Sequence, residues 1–145
     1  MNEIHQYEVN LQWNNNTKGT LSSPVLPNNI EVATPPDFPK GMEGIWSPEH
    51  LFLASINACL MATFLAITDN SKLEFISYES NAVAKVEKVD GKFIVTEITI
   101  KPILIIPSNG SEEKMKRLFE MSEKACVISN SIKSKIILLP VIIIE

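Results

Sequence analysis

The chain carries two cysteines, Cys59 and Cys126, which lie 67 positions apart and on different predicted helices. A thiol that has lost its proton is the most nucleophilic ordinary side chain near neutral pH. Two thiols on helices, rather than in loops, therefore raise the question of cysteine redox chemistry. A lone buried cysteine is more often a small core residue, so this interpretation needs support from the rest of the chain.

Composition limits the classes of partner. A length of 145 residues fits one domain over residues 1–145. The charge is mildly acidic, with 13 Lys and Arg against 17 Asp and Glu, and no basic cluster exceeds Lys114–Arg117, so no nucleic-acid partner is expected. The first residues have no secretory pattern, and two distant cysteines make a poor disulfide framework. We expect a reducing, cytoplasmic location.

Other kinds of site find little support. His5 and His50 form no close-spaced ligand pair with a cysteine, so neither a metal site nor a cofactor is expected. The apolar run over residues 51–67 has 17 residues, fewer than the about 20 that cross a bilayer. We interpret it as a helix that is buried on all sides, not as a membrane span.

The N-terminal part predicts an antiparallel meander. Tyr7–Trp13 alternates apolar and polar residues, which is typical of a half-buried strand. The turn-forming residues Asn14–Gly19 lead to a second short strand, and a third lies around Asn29–Ala33. The proline- and glycine-rich stretch Thr34–Gly44 predicts a loop without regular structure.

The first helix has a clear start. Ser47 can cap it, Pro48 suits the first helical position, and Glu49 places a negative charge near the positive end of the helix dipole. After the helix, strands Leu73–Val89 and Lys92–Ile106 flank an Asp-Gly turn and predict a long hairpin. One face of the second strand is predicted to carry Ile94, Ile98 and Ile100.

A second, amphipathic helix starts at Asn109–Ser111, and a final apolar strand covers Ser134–Glu145, where Pro140 marks an edge or a bulge. The inner face of the helix is predicted to comprise Met115, Leu118, Phe119, Ser122, Ala125 and Cys126. The order is thus β-β-β-α-β-β-α-β, an α+β fold. One sheet covers only one side of the apolar first helix, so we expect a second copy of the chain to cover the rest.

Three segments in this order resemble the OsmC/Ohr family of osmotically induced and organic hydroperoxide resistance proteins. They are Ser47-Pro-Glu-His-Leu-Phe, Asn57-Ala-Cys59-Leu-Met and Ala125-Cys-Val-Ile-Ser129. The resemblance implies antiparallel sheets around a long buried central helix, an intertwined homodimer, and a thiol-dependent peroxidase that prefers organic hydroperoxides.

The resemblance also implies roles for individual residues. Cys59 matches the cysteine that attacks the peroxide, and Cys126 matches the cysteine that resolves the sulfenic acid as a disulfide. The reductant would be a small dithiol or a lipoyl-bearing protein. Glu49 matches a glutamate that the family pairs with an arginine from the N-terminal sheet, although a helix N-terminal acid explains it equally well. Lys18 is the nearest positional substitute for that arginine.

Cys59 has no obvious activating group in the sequence. It lies about twelve residues into its helix, too far from the positive dipole end, and apolar neighbours raise a thiol pKa. We therefore expect a nearby cation. The one arginine, Arg117, is nine residues from Cys126 and on the opposite helix face, which leaves Lys18 or Lys40. Without such a cation, the alternative is a non-catalytic protein of the same fold that binds a small molecule or senses redox state.

Glu49 and Cys59 cannot meet within one chain. The ten residues between them span about 15 Å of helix. If both groups serve one site, other chains or loops must converge there; two copies of the helix would do so, which agrees with the dimer expected from burial.

Overall fold

A computed structural model of the chain describes residues 3–145 and has an α+β architecture with two sheets and two long helices. The chain divides into two compact units, Met1–Leu51 and Phe52–Glu145. The single domain over residues 1–145 stays a prediction. In chain order the elements are β1 Asn10–Asn15, β2 Lys18–Ser23, β3 Leu26–Val32, α1 Pro48–Ser71, β4 Ser77–Val89, β5 Lys92–Ile106, α2 Glu112–Ala125, a short 3-10 turn Ser129–Ser131, β6 Lys135–Leu138 and β7 Val141–Ile144.

The first unit contains the predicted meander. Strands β1, β2 and β3 pair antiparallel in that order. The prediction of a half-buried first strand is wrong in two respects: β1 starts at Asn10, and every one of its residues is exposed. Leu11 and Trp13 keep 66% and 71% of their surfaces accessible, because the three-stranded sheet has no layer of the same unit against that face. Residues 34–44 form an irregular loop, as predicted.

Helix α1 begins as the sequence predicts. Ser47 is fully buried, and its Oγ accepts a hydrogen bond from the His50 N–H at 3.1 Å, which satisfies one of the unpaired donors of the first turn. A single chain buries one side of the helix, and cover of the other side by a second copy stays a prediction. Its buried residues recur every fourth position and form one stripe: Ile56, Leu60, Phe64 and Thr68. The exposed side is apolar and includes Met61 and Leu65.

The predicted hairpin is present and joins β4 to β5 antiparallel. Its turn residues Asp90 and Gly91 have φ of 51° and 79°, the left-handed values that this tight turn requires. A β-bulge shifts the register between Lys85 and Val86, which leaves Thr96 as the extra residue of β5. The bulge reverses the alternation of side chains. Ile98 is therefore buried while Ile94 is 45% exposed, so the predicted common face is wrong at Ile94.

The second unit packs α1 and α2 with the sheet formed by β4 to β7. Pro140 divides the predicted last strand into β6 and β7, which both pair parallel with β5. Phe64 of α1 stacks on Phe119 of α2, with ring centroids 4.1 Å apart. The predicted inner face of α2 is buried except for Ala125. Ser111 caps α2, since its Oγ accepts the Lys114 N–H at 3.3 Å.

Helix α1 is long and apolar enough to cross a membrane by length and composition, with 24 residues and a mean hydropathy of 2.0 over its best window. Its buried stripe, however, packs against β5 and α2. If α1 crossed a membrane in this arrangement, the sheet packed on it would enter the bilayer too. Within residues 3–145 strand β4 is an edge of that sheet, and its edge N–H groups would then have no hydrogen-bond partner. This packing favours a core helix. The absence of a membrane partner stays a prediction.

Candidate functional site

The two thiols meet in the second unit. Cys59 lies in the middle of α1 and is partly exposed, whereas Cys126 follows the last residue of α2 and is 1% exposed. A hydrogen bond joins their side chains, with the Cys126 S–H donating to Cys59 Sγ. Both cysteines are free. A reactive thiol and a second thiol in contact with it are the minimum requirement for forming an intramolecular disulfide.

The end of α2 places Cys126 against α1. The helix stops at Ala125, and Cys126 adopts an extended conformation with φ −67° and ψ 122°. The Asn130 side chain donates to the Lys124 carbonyl at 3.0 Å, and the Asn130 N–H donates to the Cys126 carbonyl at 3.0 Å. These bonds satisfy carbonyl groups that the helix end leaves open.

The environment of Cys59 favours its thiolate. Burial alone raises the pKa of Cys59, but hydrogen bonds outweigh burial and lower the pKa below the ordinary value of 9.0. The donors are the Cys126 thiol, the Ile128 N–H, the Thr63 hydroxyl and the Val127 N–H. All four are uncharged. The cation expected from the sequence is not among them and stays a prediction. Oriented dipoles can stabilise a thiolate as well as a charge can.

Cys126 has the opposite tendency. Burial, together with its hydrogen bond to Cys59, raises the pKa of Cys126 to about 11. The Ser129 N–H donates to Cys126 Sγ at 3.4 Å and offsets part of this rise. The Glu123 carboxylate accepts the hydroxyl of the same Ser129 at 3.1 Å. At neutral pH, Cys126 is therefore a neutral thiol that donates to Cys59.

The other predicted site residues lie in the first unit. Lys18 is the first residue of β2, and its Nζ forms an ion pair with Glu31 of β3 at 3.0 Å. Glu49 occupies the first turn of α1, and its Oε1 is buried without a hydrogen-bond partner in residues 3–145. Their roles stay predictions.

A metal-binding site would need a cluster of ligands. Residues 3–145 contain no group of three or more His, Cys, Asp or Glu side chains that could hold a metal ion. His50 instead contacts the capping Ser47, with its Nδ1 2.7 Å from Oγ. The predictions of no metal and no cofactor stay predictions.

Comparison with known proteins identifies the family. The family model for OsmC-like proteins matches residues 41–138, which is more than half of the chain and includes both cysteines. The chain belongs to the OsmC-like family. Among curated relatives, the uncharacterized protein YmaD of Bacillus subtilis is 26% identical over 142 residues, covering 91% of this chain and 89% of YmaD.

Solved structures of this family share the fold. An OsmC-like protein of unknown function from Vibrio cholerae, VCA0330, has a TM-score of 0.85 at 20% identity, covering 95% of this chain and all of that one. An organic hydroperoxide resistance protein from Elizabethkingia anophelis has a TM-score of 0.79 at 17% identity over the full length of both chains. At these identities the similarity establishes the α+β fold that the sequence predicts.

Several site residues escape sequence analysis. Thr63 could have been found from its spacing, because it lies one helical turn after Cys59 on α1. Val127, Ile128 and Ser129 act through backbone N–H groups, which every residue except proline carries. Their positions depend on the direction that the backbone takes after the end of α2, and no pattern of side chains in the sequence predicts that direction.

Proposed function

We propose that this OsmC-like protein is a thiol-dependent peroxidase that reduces organic hydroperoxides through Cys59 and Cys126. The observation that carries the proposal is the contact between a partly exposed thiol with a lowered pKa and a buried neutral thiol that donates to it. A hydroperoxide can reach Cys59, and Cys126 is already beside the sulfur that it would capture. The hydroperoxide resistance protein of the same fold supports this choice of substrate.

The reaction balances with these two residues alone. The Cys59 thiolate attacks the terminal, hydrogen-bearing peroxide oxygen, the O–O bond breaks, and Cys59 becomes a sulfenic acid while an alkoxide leaves. The alkoxide takes a proton, which the neighbouring Cys126 thiol can supply. The resulting Cys126 thiolate attacks the sulfur of the sulfenic acid, forms the disulfide and releases hydroxide, which is protonated to water.

A dithiol must then restore the enzyme. It attacks the disulfide, leaves both cysteines reduced and becomes oxidised itself. We propose a small dithiol or a lipoyl-bearing protein in this role. The proposal includes a cytoplasmic location, where a reducing environment would keep the resting thiols free.

We also propose a homodimer. The exposed side of α1 carries a continuous stripe of small and apolar residues that water would otherwise cover. The stripe comprises Ala58, Met61, Ala62, Leu65 and Ala66. In a dimer, Glu49 and Lys18 of one chain could serve the thiols of the other. Sedimentation equilibrium tests this: a monomer at micromolar concentration would reject both the dimer and the shared site.

Mass spectrometry without reductant tests the chemistry. The reduced protein is treated separately with tert-butyl hydroperoxide and hydrogen peroxide, alongside Cys59→Ser and Cys126→Ser. We expect a Cys59–Cys126 disulfide that forms faster with the organic peroxide, and its absence from both variants. Repeated turnover with dihydrolipoamide would follow. A disulfide that forms without turnover would instead indicate a redox sensor, and thiols that stay reduced would indicate a binding protein.

A further inference from the structure

Hydrogen bonds hold Cys126 by its backbone and by its sulfur atom. Its N–H donates to the Glu123 carbonyl at 3.4 Å, and its carbonyl accepts the Asn130 N–H at 3.0 Å. Its Sγ accepts the Ser129 N–H at 3.4 Å. The thiol is also 1% exposed, so neighbouring atoms surround it. Residues on both sides of Cys126 in the sequence therefore hold its side chain in one orientation.

Ser129 makes two of the contacts that define this arrangement. Besides the N–H that donates to Cys126 Sγ, its hydroxyl donates to Glu123 Oε1 at 3.1 Å. Glu123 lies in the last turn of α2, three residues before Cys126. A hydrogen bond to a carboxylate is stronger than one between neutral groups. The bond to Glu123 thus ties the turn that follows the helix back onto the helix, with the Ser129 N–H directed at the thiol.

We propose that Ser129 is the positioning residue of the second thiol: braced by Glu123, it holds Cys126 Sγ in the orientation from which that sulfur attacks Cys59. The inference rests on the proposed function, because that function gives Cys126 the attacking role, but the attack can be followed without a peroxide. When Cys126 loses its proton, negative charge forms on a sulfur atom that already accepts an N–H. A donor in place before the charge develops does not have to reorganise during the reaction.

The surroundings of Cys126 make this donor hard to replace. Glu123, Cys126 and Ser129 line one small space together with apolar residues of α1, β5 and β6. The space does not admit a water molecule, so water cannot take over the hydrogen bond if the turn shifts. A negatively charged sulfur in contact with apolar side chains and without a donor is unfavourable. Correct placement of Ser129 therefore matters most in the step that ionises Cys126.

Ellman's reagent, an aromatic disulfide, follows the two thiols one after the other. The Cys59 thiolate attacks the reagent, forms a mixed disulfide and releases one coloured thiolate, at a rate that rises with reagent concentration. Cys126 then loses its proton to solvent, attacks Cys59 Sγ and forms the protein disulfide. This second step releases the second coloured thiolate at a rate that does not depend on reagent concentration. Cys126→Ser should give the first release alone.

Side-chain variants test the second step against the first. Misplacing a reacting group by about 1 Å can slow a reaction about a hundredfold, and we expect Ser129→Ala, which keeps the N–H but loses the brace, to slow the second release about tenfold. The first release, which needs Cys59 alone, should keep its rate. Ser129→Thr retains the hydroxyl and should restore the second release. Glu123→Ala should act like Ser129→Ala, and Glu123→Gln, which keeps an acceptor oxygen, should restore the rate.

Two further variants decide whether the effect belongs to this hydrogen bond. The double variant Glu123→Ala with Ser129→Ala should be no slower than either single variant, because the two side chains act as one unit. Ser131→Ala is the matched control. Ser131 lies in the same 3-10 turn, but its hydroxyl donates to the Val127 carbonyl at 2.7 Å rather than to Glu123. It should leave both releases unchanged.

Each outcome decides the proposal. An unchanged second release in Ser129→Ala overturns it, and so do additive losses in the double variant. Equal slowing by Ser131→Ala also overturns it, since any loosening of the turn would then suffice. If Ser129→Ala does not fold, Glu123→Ala is judged by the same criterion, with Glu123→Gln as its control.

The proposed function is judged separately from this inference. A second release that depends on Ser129, in a protein that does not reduce hydroperoxides, would refute the peroxidase alone. Turnover with a hydroperoxide, combined with a second release that is insensitive to Ser129, would refute the positioning role alone. An unmodified protein that releases one coloured thiolate and no second would overturn the role of Cys126 as the attacking thiol, and the inference with it.

Discussion

The hydrogen bond between the two thiols gives the sharpest test of the site. Replacing Cys126 with Ala deletes the strongest of the hydrogen bonds that lower the pKa of Cys59. A hydrogen bond to a charged group contributes about 1.5–3 kcal/mol, and one pKa unit corresponds to about 1.4 kcal/mol. We therefore expect Cys126→Ala to raise the pKa of Cys59 by about one to two units. Cys126→Ser keeps a donor of similar size and is expected to keep the pKa low.

The assay benefits from the small number of thiols. Either variant leaves Cys59 as the one cysteine of the chain, so thiolate absorbance in the ultraviolet reports on Cys59 during a pH titration once the separately measured ionisation of the two tyrosines is subtracted. Thermal unfolding of both variants serves as the control for a general loss of structure. The reasoning is refuted if Ala and Ser give the same Cys59 pKa, or if Ser raises it more than Ala.

Three further predictions concern stability. Ser47→Ala removes the cap on the His50 N–H and is expected to lower the free energy of unfolding by about 0.5–2 kcal/mol, with Ser47→Asp recovering most of the loss in a urea titration. Tyr78→Phe removes a buried hydroxyl that has no partner in residues 3–145, and a rise of about 1 kcal/mol is expected; a fall would reveal a missed partner. Alkaline pH is expected to destabilise the fold. Burial raises the pKa of Cys126 from 9.0 to about 11 and that of Tyr78 from 10.0 to about 12, so the folded state keeps protons that the unfolded chain releases. The contribution of these two groups to stability is therefore complete below their unfolded pKa values and is lost as the pH rises to their folded pKa values. The Tyr78→Phe variant should lose less stability over this pH range than the unmodified protein.

The order of elements follows from the sequence because its signals are local. Ser47 and Pro48 mark the start of α1, and the Asp90-Gly91 pair sets the hairpin. The errors arise where non-local structure decides. The face of Ile94 depends on a bulge that no residue type announces, and the extent of β1 depends on how the strands pair rather than on its alternating pattern.

The site divides in the same way. The cysteines are visible in the sequence, and their contact, left open there, is present in the second unit. The expectation of a cation near Cys59 stays a prediction, and reasoning from side chains alone does not consider the Val127 and Ile128 N–H groups, which contribute to the lowered pKa of Cys59. Backbone donors are common to nearly all residues, so only the path of the chain after Ala125 could have revealed them.

The environments of the two thiols also support the proposed roles without reference to any relative. If the buried thiol were the nucleophile, a peroxide would have to enter a space where Cys126 is 1% exposed, and its pKa of about 11 would leave almost no thiolate at neutral pH. Cys59 has a lowered pKa and is partly exposed, so a peroxide can reach its sulfur. The raised pKa of Cys126 is useful in the next step, because it holds a proton until an alkoxide forms beside it. In the proposed reaction, Cys126 becomes a nucleophile by losing that proton only after Cys59 has been oxidised, which would set the order of the two steps.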